Sequence, residues 1–310
     1  MKKYISKICL FACLVIVLDA LFGFAFDYLK SNAKGGSTHN NYYILNECNS
    51  DIIILGSSRA KHHYIPSVLE DSLNMTCYNC SEEGNGIMLA NARFHAIVNR
   101  HKPKVVIYEI TPAFDYQKVG DETRFLRYLK PYYNNESVKK VVDKFIKPTT
   151  QISLMSQMYQ NNSSLLAYAL DNISIRSSEK GYIPLSGIMT KVPKAGDKED
   201  FEIDMVKLAL LEEIANECKF EKIQLIFSIS PIYTCSDDTE YQPATELAAR
   251  IGIPVLNFLN LYGDNKMHLF QDNNHLNNDG ALMYSNFFAH ELKEKIKTYE
   301  TNNIYTQLAE

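Results

Sequence analysis

The stretch Asp51–His63, which reads DIIILGSSRAKHH, decides the fold. Its aliphatic residues Ile52–Leu55 form an apolar run of strand length, and Gly56-Ser57-Ser58-Arg59 follows at once. A short apolar run that ends in glycine and serine is typical of a buried strand that turns into a helix. One of the serines then either caps that helix or acts as a nucleophile at the end of the strand. The rest of the chain has to distinguish these two interpretations.

Further apolar runs of strand length follow along the chain, with helical patterns between them. The runs are Thr76–Cys80, Val105–Ile110, Ile223–Ile229 and Pro254–Leu256. The segments with apolar residues at three-to-four spacing are Ile87–Val98, Ile203–Ile214 and Tyr284–Ile296, and Pro66 begins a further short helix. Strands this apolar, alternating with helices, predict an α/β fold: a three-layer, flavodoxin-like, doubly wound parallel sheet of about five strands. In such sheets chemistry occurs beyond the carboxyl ends of the strands, where Gly56-Ser57-Ser58 falls.

A second motif lies near the C-terminus, where residues 270–288 read FQDNNHLNNDGALMYSNFF. Asp272 precedes His275 by three residues, between the last predicted strand and the last predicted helix. A serine hydroxyl becomes a nucleophile when a histidine takes its proton, and a carboxylate holds that imidazole in one tautomer. In a doubly wound fold the ends of the first and last strands converge. The pattern therefore favours a serine nucleophile over a simple helix cap.

With these motifs the sequence resembles the SGNH, or GDSL-type, superfamily of hydrolases and acyltransferases, over about Asp51–Ile296. The matching blocks are Gly56-Ser57-Ser58, Gly84-Asn85-Gly86 and Asp272-x-x-His275 with Leu276-Asn277. The resemblance implies that Ser58 is the nucleophile, His275 the general base and Asp272 its orienting acid. This chemistry requires no metal ion or organic cofactor.

The resemblance also implies an oxyanion hole. Its donors are the backbone N–H of Ser58 and that of Gly84 or Gly86, the latter two at the start of the predicted Ile87–Val98 helix. Amides at a helix N-terminus stabilise developing negative charge.

Two positions depart from the family pattern. Ser57 stands where the first block commonly has aspartate, and residues 105–116, VVIYEITPAFDY, lack the asparagine that usually follows the third strand. The loss of one oxyanion donor typically costs about 10²–10³ in rate. Thr111 and the side chain of Asn85 are the candidates to replace it.

Other polar residues near the predicted site have alternative roles. Arg59, Glu109 and Thr111 are candidates for substrate binding, while a structural salt bridge between Arg59 and Glu109, or a solvated Glu109, is the alternative. No carboxylate clusters with His62 and His63 in the sequence, so they are predicted to lie in a solvated or packed loop rather than at a metal site.

The N-terminus predicts a membrane segment. Lysines precede Ile8–Phe26, nineteen residues with one charge, Asp19, and this length can span a hydrocarbon core. The lysines favour a cytoplasmic N-terminus and an exported body, periplasmic or extracellular, anchored in a bacterial inner membrane. A cleaved signal peptide is the alternative, because Gly23-Phe24-Ala25 fits a cleavage site. A charge in lipid is costly, so Asp19 indicates a membrane partner, a place near the outer interface, or the polar end of a signal peptide.

The predicted organisation has four segments. They are an anchor over 1–28, a polar linker over 29–50, the hydrolase-like domain over 51–298 with a helical insertion at 111–200, and a tail over 299–310. The insertion has helical character around Val138–Phe145 and Leu154–Leu170 and is rich in tyrosine. Its aromatic rings are predicted either to pack together or to offer a surface for sugar rings.

Composition excludes two further classes of protein. A net charge of −4 argues against a nucleic-acid binder. Seven cysteines, two of them in the apolar segment, leave an odd number in the body and exclude a fully disulfide-bonded scaffold. The spacing of Cys77 and Cys80 is that of redox or zinc sites, but without a second such pair buried thiols are favoured. The other cysteines of the body are Cys48, Cys218 and Cys235.

The sequence thus predicts an exported serine esterase or O-acyltransferase that acts on acylated envelope or exported polysaccharide. It looks most similar to the envelope acyl-transfer branch of the superfamily, which includes lipoteichoic-acid D-alanylation and alginate O-acetylation proteins. That resemblance implies a multi-span membrane O-acyltransferase as partner. The alternatives are a catalytically silent, membrane-anchored module that binds glycan or serves as a scaffold, and a thiol-redox protein.

Overall fold

The computed structural model describes residues 1–120, 123–173, 178–192, 201–233 and 238–309. The chain divides into two compact units. Unit 1 consists of Met1–Glu47 with Glu122–Ser177, and unit 2 consists of Cys48–Asp121 with Ser178–Glu310.

Unit 2 is built on a five-stranded sheet in the order β2-β1-β3-β4-β5, in which every pair is parallel. The strands are β1 (Ile52–Leu55), β2 (Cys77–Asn79), β3 (Val105–Glu109), β4 (Gln224–Ile229) and β5 (Val255–Asn257). All residues of β1, β2, β3 and β4 are buried, which explains why these strands read as mainly apolar runs. The polar residues within them are buried as well, namely Asn79, Glu109, Gln224 and Ser228. The predicted α/β fold is confirmed.

Helices cover both faces of this sheet. They are α3 (Ser58–His63), α4 (Pro66–Leu73), α5 (Ile87–Val98), α6 (Pro112–Asp115), α12 (Met205–Phe220), α13 (Gln242–Ile251) and α14 (Asn278–Ala309). Side chains alternate along a strand, so Ile52 and Ile54 share one face, where they form a core with Ala60, Leu69 and Phe288 of α3, α4 and α14. The helices α5 and α12 pack against each other, and α12 also packs against β4.

The turn after β1 brings the serine to the carboxyl edge of the sheet. Gly56 has φ +137°, a conformation that side-chain-bearing residues rarely adopt, and a Cβ there would lie 2.7 Å from the carbonyl oxygen of Glu109. Only glycine fits between β1 and the end of β3. The chain therefore turns sharply, and Ser58 begins α3.

Unit 1 is helical. Its helices are α1 (Lys2–Ser31), α2 (Gly36–Asn46), α7 (Leu126–Leu129), α8 (Glu136–Phe145), α9 (Pro148–Ser153), α10 (Gln157–Asn161) and α11 (Leu165–Ile173). By length and composition α1 is suited to cross a membrane, with a mean hydropathy of 2.6 over its most apolar window, and it is the one such helix among the described residues. The same features fit a signal sequence.

Several predicted boundaries differ from the structure. The linker over 29–50 contains α2, because Asn41 and its neighbours are buried, and Asn41 donates to the carbonyl of Tyr128 at 2.6 Å. The predicted insertion over 111–200 is divided, since α6 and residues 178–192 belong to unit 2, and 193–200 lie outside the described residues. The predicted tail continues α14 as far as Ala309.

Several tyrosines of the aromatic-rich insertion are packed in the protein, as one of the two predictions expected. Tyr133, Tyr168 and Tyr182 are buried, whereas Tyr159 is exposed. The helical stretch predicted over Leu154–Leu170 is interrupted between α10 and α11.

Candidate active site

The structure brings together the three residues that the motifs single out. The imidazole Nε2 of His275 lies 2.8 Å from Oγ of Ser58, and its Nδ1 lies 2.9 Å from each carboxylate oxygen of Asp272. A carboxylate only accepts, so Nδ1 carries the proton and Nε2 accepts from the Ser58 hydroxyl. Ser58 and His275 are half-buried, which leaves the hydroxyl within reach of solvent.

The sequence Asp-x-x-His forms its own supporting turn. The Asp272 carboxylate accepts hydrogen bonds from the backbone N–H groups of Asn274, at 2.8 Å, and His275, at 3.0 Å. Such a turn is the usual local structure of an aspartate that bonds to the backbone ahead of it. Burial works to raise the pKa of Asp272, but the hydrogen bonds from His275 and Asn274 outweigh it and lower that pKa below its usual value. The carboxylate is therefore ionised beside the imidazole.

A second histidine holds the loop that carries the first. The backbone N–H of Leu276 donates to Nε2 of His63 at 3.0 Å, so Nδ1 of His63 carries the proton and donates to Oγ of Ser230 at 2.8 Å. Burial is the main cause that lowers the pKa of His63 well below its usual value, with the nearby His275 acting in the same direction. His63 is thus neutral, and it positions the residue next to His275.

His62 and His63 are both buried in α3 rather than placed in a solvated loop. His62 donates from Nδ1 to the carbonyl oxygen of Ile183 at 2.7 Å, and burial lowers its pKa. Of the two predicted environments, solvated or packed, both side chains have the packed one, although they lie in a helix and not in a loop.

A buried polar network lies beneath the triad. The Glu109 carboxylate accepts from the backbone N–H of Ser230 at 2.9 Å and from its hydroxyl at 2.7 Å, and it also accepts from the hydroxyl of Tyr64. The Nε of Arg59 lies 3.4 Å from the same carboxylate, and the guanidinium donates to the carbonyl oxygens of Ile110 and Ser230. Burial raises the pKa of Glu109, although Arg59 and the hydrogen bonds oppose this.

This network corrects two predicted roles. Arg59 and Glu109 are 3% and 0% exposed and bind each other, so their side chains are not placed to contact a substrate. The salt-bridge alternative describes them. Sequence reasoning misses Tyr64 and Ser230, although a polar residue such as Ser230 at the carboxyl end of a buried strand is a usable signal.

The loop after β2 lies next to the loop after β1. The backbone N–H of Glu82 donates to the carbonyl oxygen of Gly56 at 3.3 Å, and the Glu82 carboxylate lies 3.4 Å from Lys61 of α3 and 3.3 Å from Arg93 of α5. Lys61 and Arg93 also donate to the carbonyl of Ser81, each at 3.2 Å. These contacts join the serine helix to the loop that carries Gly84 and Gly86.

The predicted oxyanion donors differ in whether their N–H groups already donate to a carbonyl of the chain. Ser58 is the first residue of α3 and Gly86 is the residue before α5, so the helices provide no carbonyl for their N–H groups. Asn85 instead donates from its side chain to the carbonyl of Glu83 at 3.0 Å and from its backbone to that of Glu82 at 3.2 Å. The contact with Glu83 uses one of the two N–H donors of the Asn85 amide, and the replacement of the missing asparagine by this amide stays a prediction.

Thr111 follows β3 at the position of the missing asparagine. Its backbone N–H donates to Asp115 at 2.6 Å, and its hydroxyl oxygen is buried without a hydrogen-bond partner among the described residues. Burial raises the pKa of Asp115 to about 7, and the hydroxyl of Tyr108 donates to this carboxyl at 2.7 Å. Because its hydroxyl is buried, Thr111 is not placed to bind substrate through that group.

The cysteines show the features of buried thiols. Cys77 and Cys80 are each 1% exposed, and burial raises the pKa of both thiols well above the usual value. Cys235 lies outside the described residues. Within the described ranges no group of three or more His, Cys, Asp or Glu side chains is arranged to hold a metal ion.

No protein-family model matches the chain, and no curated protein matches it. Among solved structures it is similar to a protein from Desulfitobacterium hafniense DCB-2 that is assigned to the G-D-S-L family of lipolytic proteins. The two chains share 12% sequence identity with a TM-score of 0.40, over 77% of this chain and 98% of that chain. A likeness at this level carries no argument about chemistry, which has to be argued from the geometry of the site.

Proposed function

We propose that the chain is a serine-dependent acyl-ester enzyme of the SGNH, or GDSL-type, superfamily. Ser58 is its nucleophile, His275 its general base and Asp272 the acid that orients the base. The observation that carries the proposal is the continuous hydrogen-bond chain from Asp272 through His275 to Ser58, with contacts of 2.9 and 2.8 Å. This is the geometry that activates a serine hydroxyl.

In the acylation step Oγ of Ser58 attacks the carbonyl carbon of an ester, and the hydroxyl proton passes to Nε2 of His275. The bond from that carbon to the leaving alcohol then breaks, and the imidazolium returns the proton to the departing oxygen. Asp272 stabilises the imidazolium by charge and holds its tautomer by hydrogen bond. The acyl group remains on Ser58 as an ester.

The attacked carbonyl oxygen becomes negative and requires N–H donors. We assign these to the backbone N–H groups of Ser58, Gly84 and Gly86, because the loops that carry them are joined through Glu82 and Lys61. Fixed donors of this kind stabilise the charge without reorganisation. Since the family's side-chain donor after β3 is absent, we expect a slower enzyme than a member that has it.

In the second step the oxygen of an acceptor hydroxyl attacks the acyl carbon, and its proton passes to Nε2 of His275. The bond from that carbon to Oγ of Ser58 then breaks, and the imidazolium returns the proton to Oγ. Water as acceptor makes the reaction a hydrolysis, and a sugar hydroxyl makes it an acyl transfer. We propose an acylated envelope or exported polysaccharide as substrate, which is supported by the lysines before α1 and by the resemblance to the envelope acyl-transfer branch. A multi-span membrane O-acyltransferase would be the natural source or consumer of the acyl group.

The proposal is tested with a fluorophosphonate probe and an activated acetyl ester on the full chain in detergent. We expect labelling and turnover that vanish in Ser58→Ala. The matched control is Ser57→Ala, since Ser57 is the neighbouring serine and its hydroxyl is buried without a partner among the described residues. Labelling that persists in Ser58→Ala would contradict the assignment.

One observation favours a second candidate function. The position after β3 offers only Thr111 with a buried hydroxyl, and the Asn85 amide is engaged within its own loop. A catalytically silent, membrane-anchored module that binds glycan or serves as a scaffold would keep the fold and lose this donor. Absence of both labelling and turnover in folded wild-type chain would favour that module.

A further inference from the structure

One face of α1 is covered by the chain's own insertion. Asp19, Gly23, Phe26 and Lys30 follow each other at helical spacings of four, three and four, so they lie on the same face of α1. The last three are the buried residues of a helix that is otherwise mostly exposed. This face therefore contacts protein, and the remaining faces are available to lipid.

Asp19 is paired within unit 1. Its carboxylate accepts from the hydroxyl of Ser156 at 2.7 Å and from the backbone N–H groups of Gln157 at 2.8 Å and Met158 at 3.0 Å. An acidic residue in an apolar segment is costly unless its charge is paired or hydrogen-bonded. These contacts give the Asp19 carboxylate hydrogen-bond partners within the chain itself. From the sequence alone, a membrane partner or a place near the interface is expected to explain this charge.

The segment from Ser156 to Asn172 follows α1 toward its C-terminal end. Gly23 allows Gln157 close to the helix, since a Cβ at Gly23 would lie 2.7 Å from the Gln157 side chain. Further along α1, Phe26 lies beside Tyr168, with 6.4 Å between ring centroids, and Asn172 donates to the carbonyl of Leu29 at 2.9 Å. The segment is thus in contact with α1 from Asp19 to Leu29.

These contacts set the depth of the insertion relative to the apolar run Ile8–Phe26. At 1.5 Å per residue, Asp19 lies about 10 Å below Phe26 along the axis of α1. The turn from Ser153 to Gln157 is at the same level, because Asp19 binds Ser156 and Gln157 directly. If α1 spans the bilayer, this turn lies within the hydrocarbon region.

A segment within the hydrocarbon region requires exposed apolar side chains, and the part of the insertion in unit 1 has them. Ile152 and Met155 near this turn are 69% and 77% exposed, and Leu166 and Ile173 of α11 are 73% and 80% exposed. Large apolar side chains this exposed indicate an interaction surface. They belong to the part of the insertion that contacts α1 through Ser156, Gln157 and Tyr168.

We propose that the α9–α10 turn and the N-terminal part of α11 lie in the lipid bilayer against an uncleaved α1, with Ile152, Met155 and Leu166 in contact with lipid acyl chains. Cleavage after Ala25 would remove Asp19 and Gly23, and it would leave the backbone donors of Gln157 and Met158 without their acceptor. The insertion and the anchor therefore form one membrane unit.

The chain contains no tryptophan, so single-tryptophan variants give an uncomplicated fluorescence signal. The full chain is reconstituted into phosphatidylcholine vesicles with or without brominated acyl chains, which quench tryptophan only on contact. We expect Met155→Trp and Leu166→Trp to show blue-shifted emission and a loss of emission in brominated vesicles that matches Val15→Trp of α1. Ser31→Trp, beyond the apolar run, should keep its emission.

Emission from Met155→Trp and Leu166→Trp like that of Ser31→Trp would overturn the proposal. The same variants can also be measured in native membranes. Blue-shifted emission that appears only there, with no quenching in brominated vesicles, would also overturn the proposal and would indicate that these side chains contact a membrane protein instead of lipid. In the Met155→Trp background, Asp19→Ala should reduce the quenching, whereas Asp27→Ala, on an exposed part of α1, should not. A mature chain whose intact mass lacks residues 1–25 would contradict the uncleaved anchor.

Discussion

At the scale of single residues, proton positions follow from which partners can only donate or only accept. The Asp272 carboxylate accepts from Nδ1 of His275, and the backbone N–H of Leu276 donates to Nε2 of His63. The two rings therefore carry their protons on Nδ1. Only the first ring directs its free nitrogen at a hydroxyl, that of Ser58. The structure thus gives these neighbouring imidazoles different functions: a base, and a support for the base.

The triad and its support differ in how far a sequence can predict them. Asp272 and His275 are three residues apart, so one local turn presents both groups, and the motif is visible without a structure. The contact of His63 with Ser230 joins residues 167 positions apart, and that of Tyr64 with Glu109 joins residues 45 apart. No local pattern marks such pairs, because each depends on the order of the strands in the sheet.

Asp272→Asn tests the role of the acid at this scale. The amide can donate to Nδ1 and so favours the wrong imidazole tautomer, which deprives the Ser58 hydroxyl of its acceptor. We expect a loss of about 10⁴ in kcat toward an activated acetyl ester, with nearly unchanged folding by circular dichroism. Asp279→Asn, an exposed aspartate of the same region, should retain wild-type kcat. Wild-type turnover in Asp272→Asn would remove Asp272 from the mechanism.

At the scale of elements, strands were predictable and several helices were not. A strand buried on both faces is mostly apolar, so β1, β3 and β4 are visible as short runs even though β3 and β4 include polar residues. The helix α2 buries Thr38, Asn40 and Asn41, which read as linker residues in a sequence. Their burial is stabilised by partners far along the chain, such as the Asp171 carboxylate, which accepts from the N–H of Thr38 at 3.1 Å.

The turn between β1 and α3 gives a prediction at this scale. In Gly56→Ala the new Cβ meets the backbone of β3 in addition to an unfavourable φ. Gly252→Ala is the matched control, because its φ of +87° is also positive but its Cβ would meet nothing within 4 Å. The control should lose about 1–2 kcal/mol of stability from φ alone. We expect Gly56→Ala to lose more in urea unfolding and to lose esterase turnover as Ser58 shifts.

Equal destabilisation by the two substitutions would show that the end of β3 can yield to a methyl group. Full turnover in a stable Gly56→Ala chain would mean that the position of Ser58 does not depend on this turn. Either result would contradict the role assigned to Gly56 in placing the nucleophile.

At the scale of the whole molecule, the carboxyl edge of the sheet collects polar groups from β1, β3, β4 and the loop after β5. The doubly wound parallel sheet could be anticipated from alternating strands and helices, and hence the place of the site beyond the carboxyl ends of the strands. The salt bridge between Arg59 and Glu109 is among the alternatives that the sequence offers, but its burial beneath the site could not be predicted, since both residues read equally well as surface residues. Burial of Arg59, Glu109, His62 and His63 makes the stability of the fold depend on protonation.

We therefore expect His63 to lower the stability of the chain as the pH falls from 7.5 to 5.5, whereas Asp115, whose pKa burial raises to about 7, acts in the opposite direction over the same interval. The unfolded chain binds a proton at His63 near the usual pKa of about 6.5, whereas burial lowers the pKa of His63 in the folded state. At His63 the unfolded state then binds more protons than the folded state below about pH 6.5. The contribution of His63 to the free energy of unfolding therefore rises with pH and falls on acidification. Complete exclusion of the proton from the folded His63 side chain would make this contribution about 1.4 kcal/mol over the interval, and His62, with a pKa also lowered by burial, adds to it.

Urea unfolding of the full chain in detergent, followed by circular dichroism at both pH values, measures this loss. The nearby groups whose charge lowers the pKa of His63 are His275, Arg59 and His62. Comparing the pH dependence of His63→Gln with that of the wild type gives the contribution of His63 itself. In His63→Gln we expect lower stability at both pH values, and a free energy of unfolding that falls less, or rises more, from pH 7.5 to 5.5 than in the wild type. His290→Gln, on the exposed surface of α14, should keep the wild-type difference. A His63→Gln chain with the same pH difference as the wild type would show that His63 takes up no proton on unfolding in this interval, and would contradict its role.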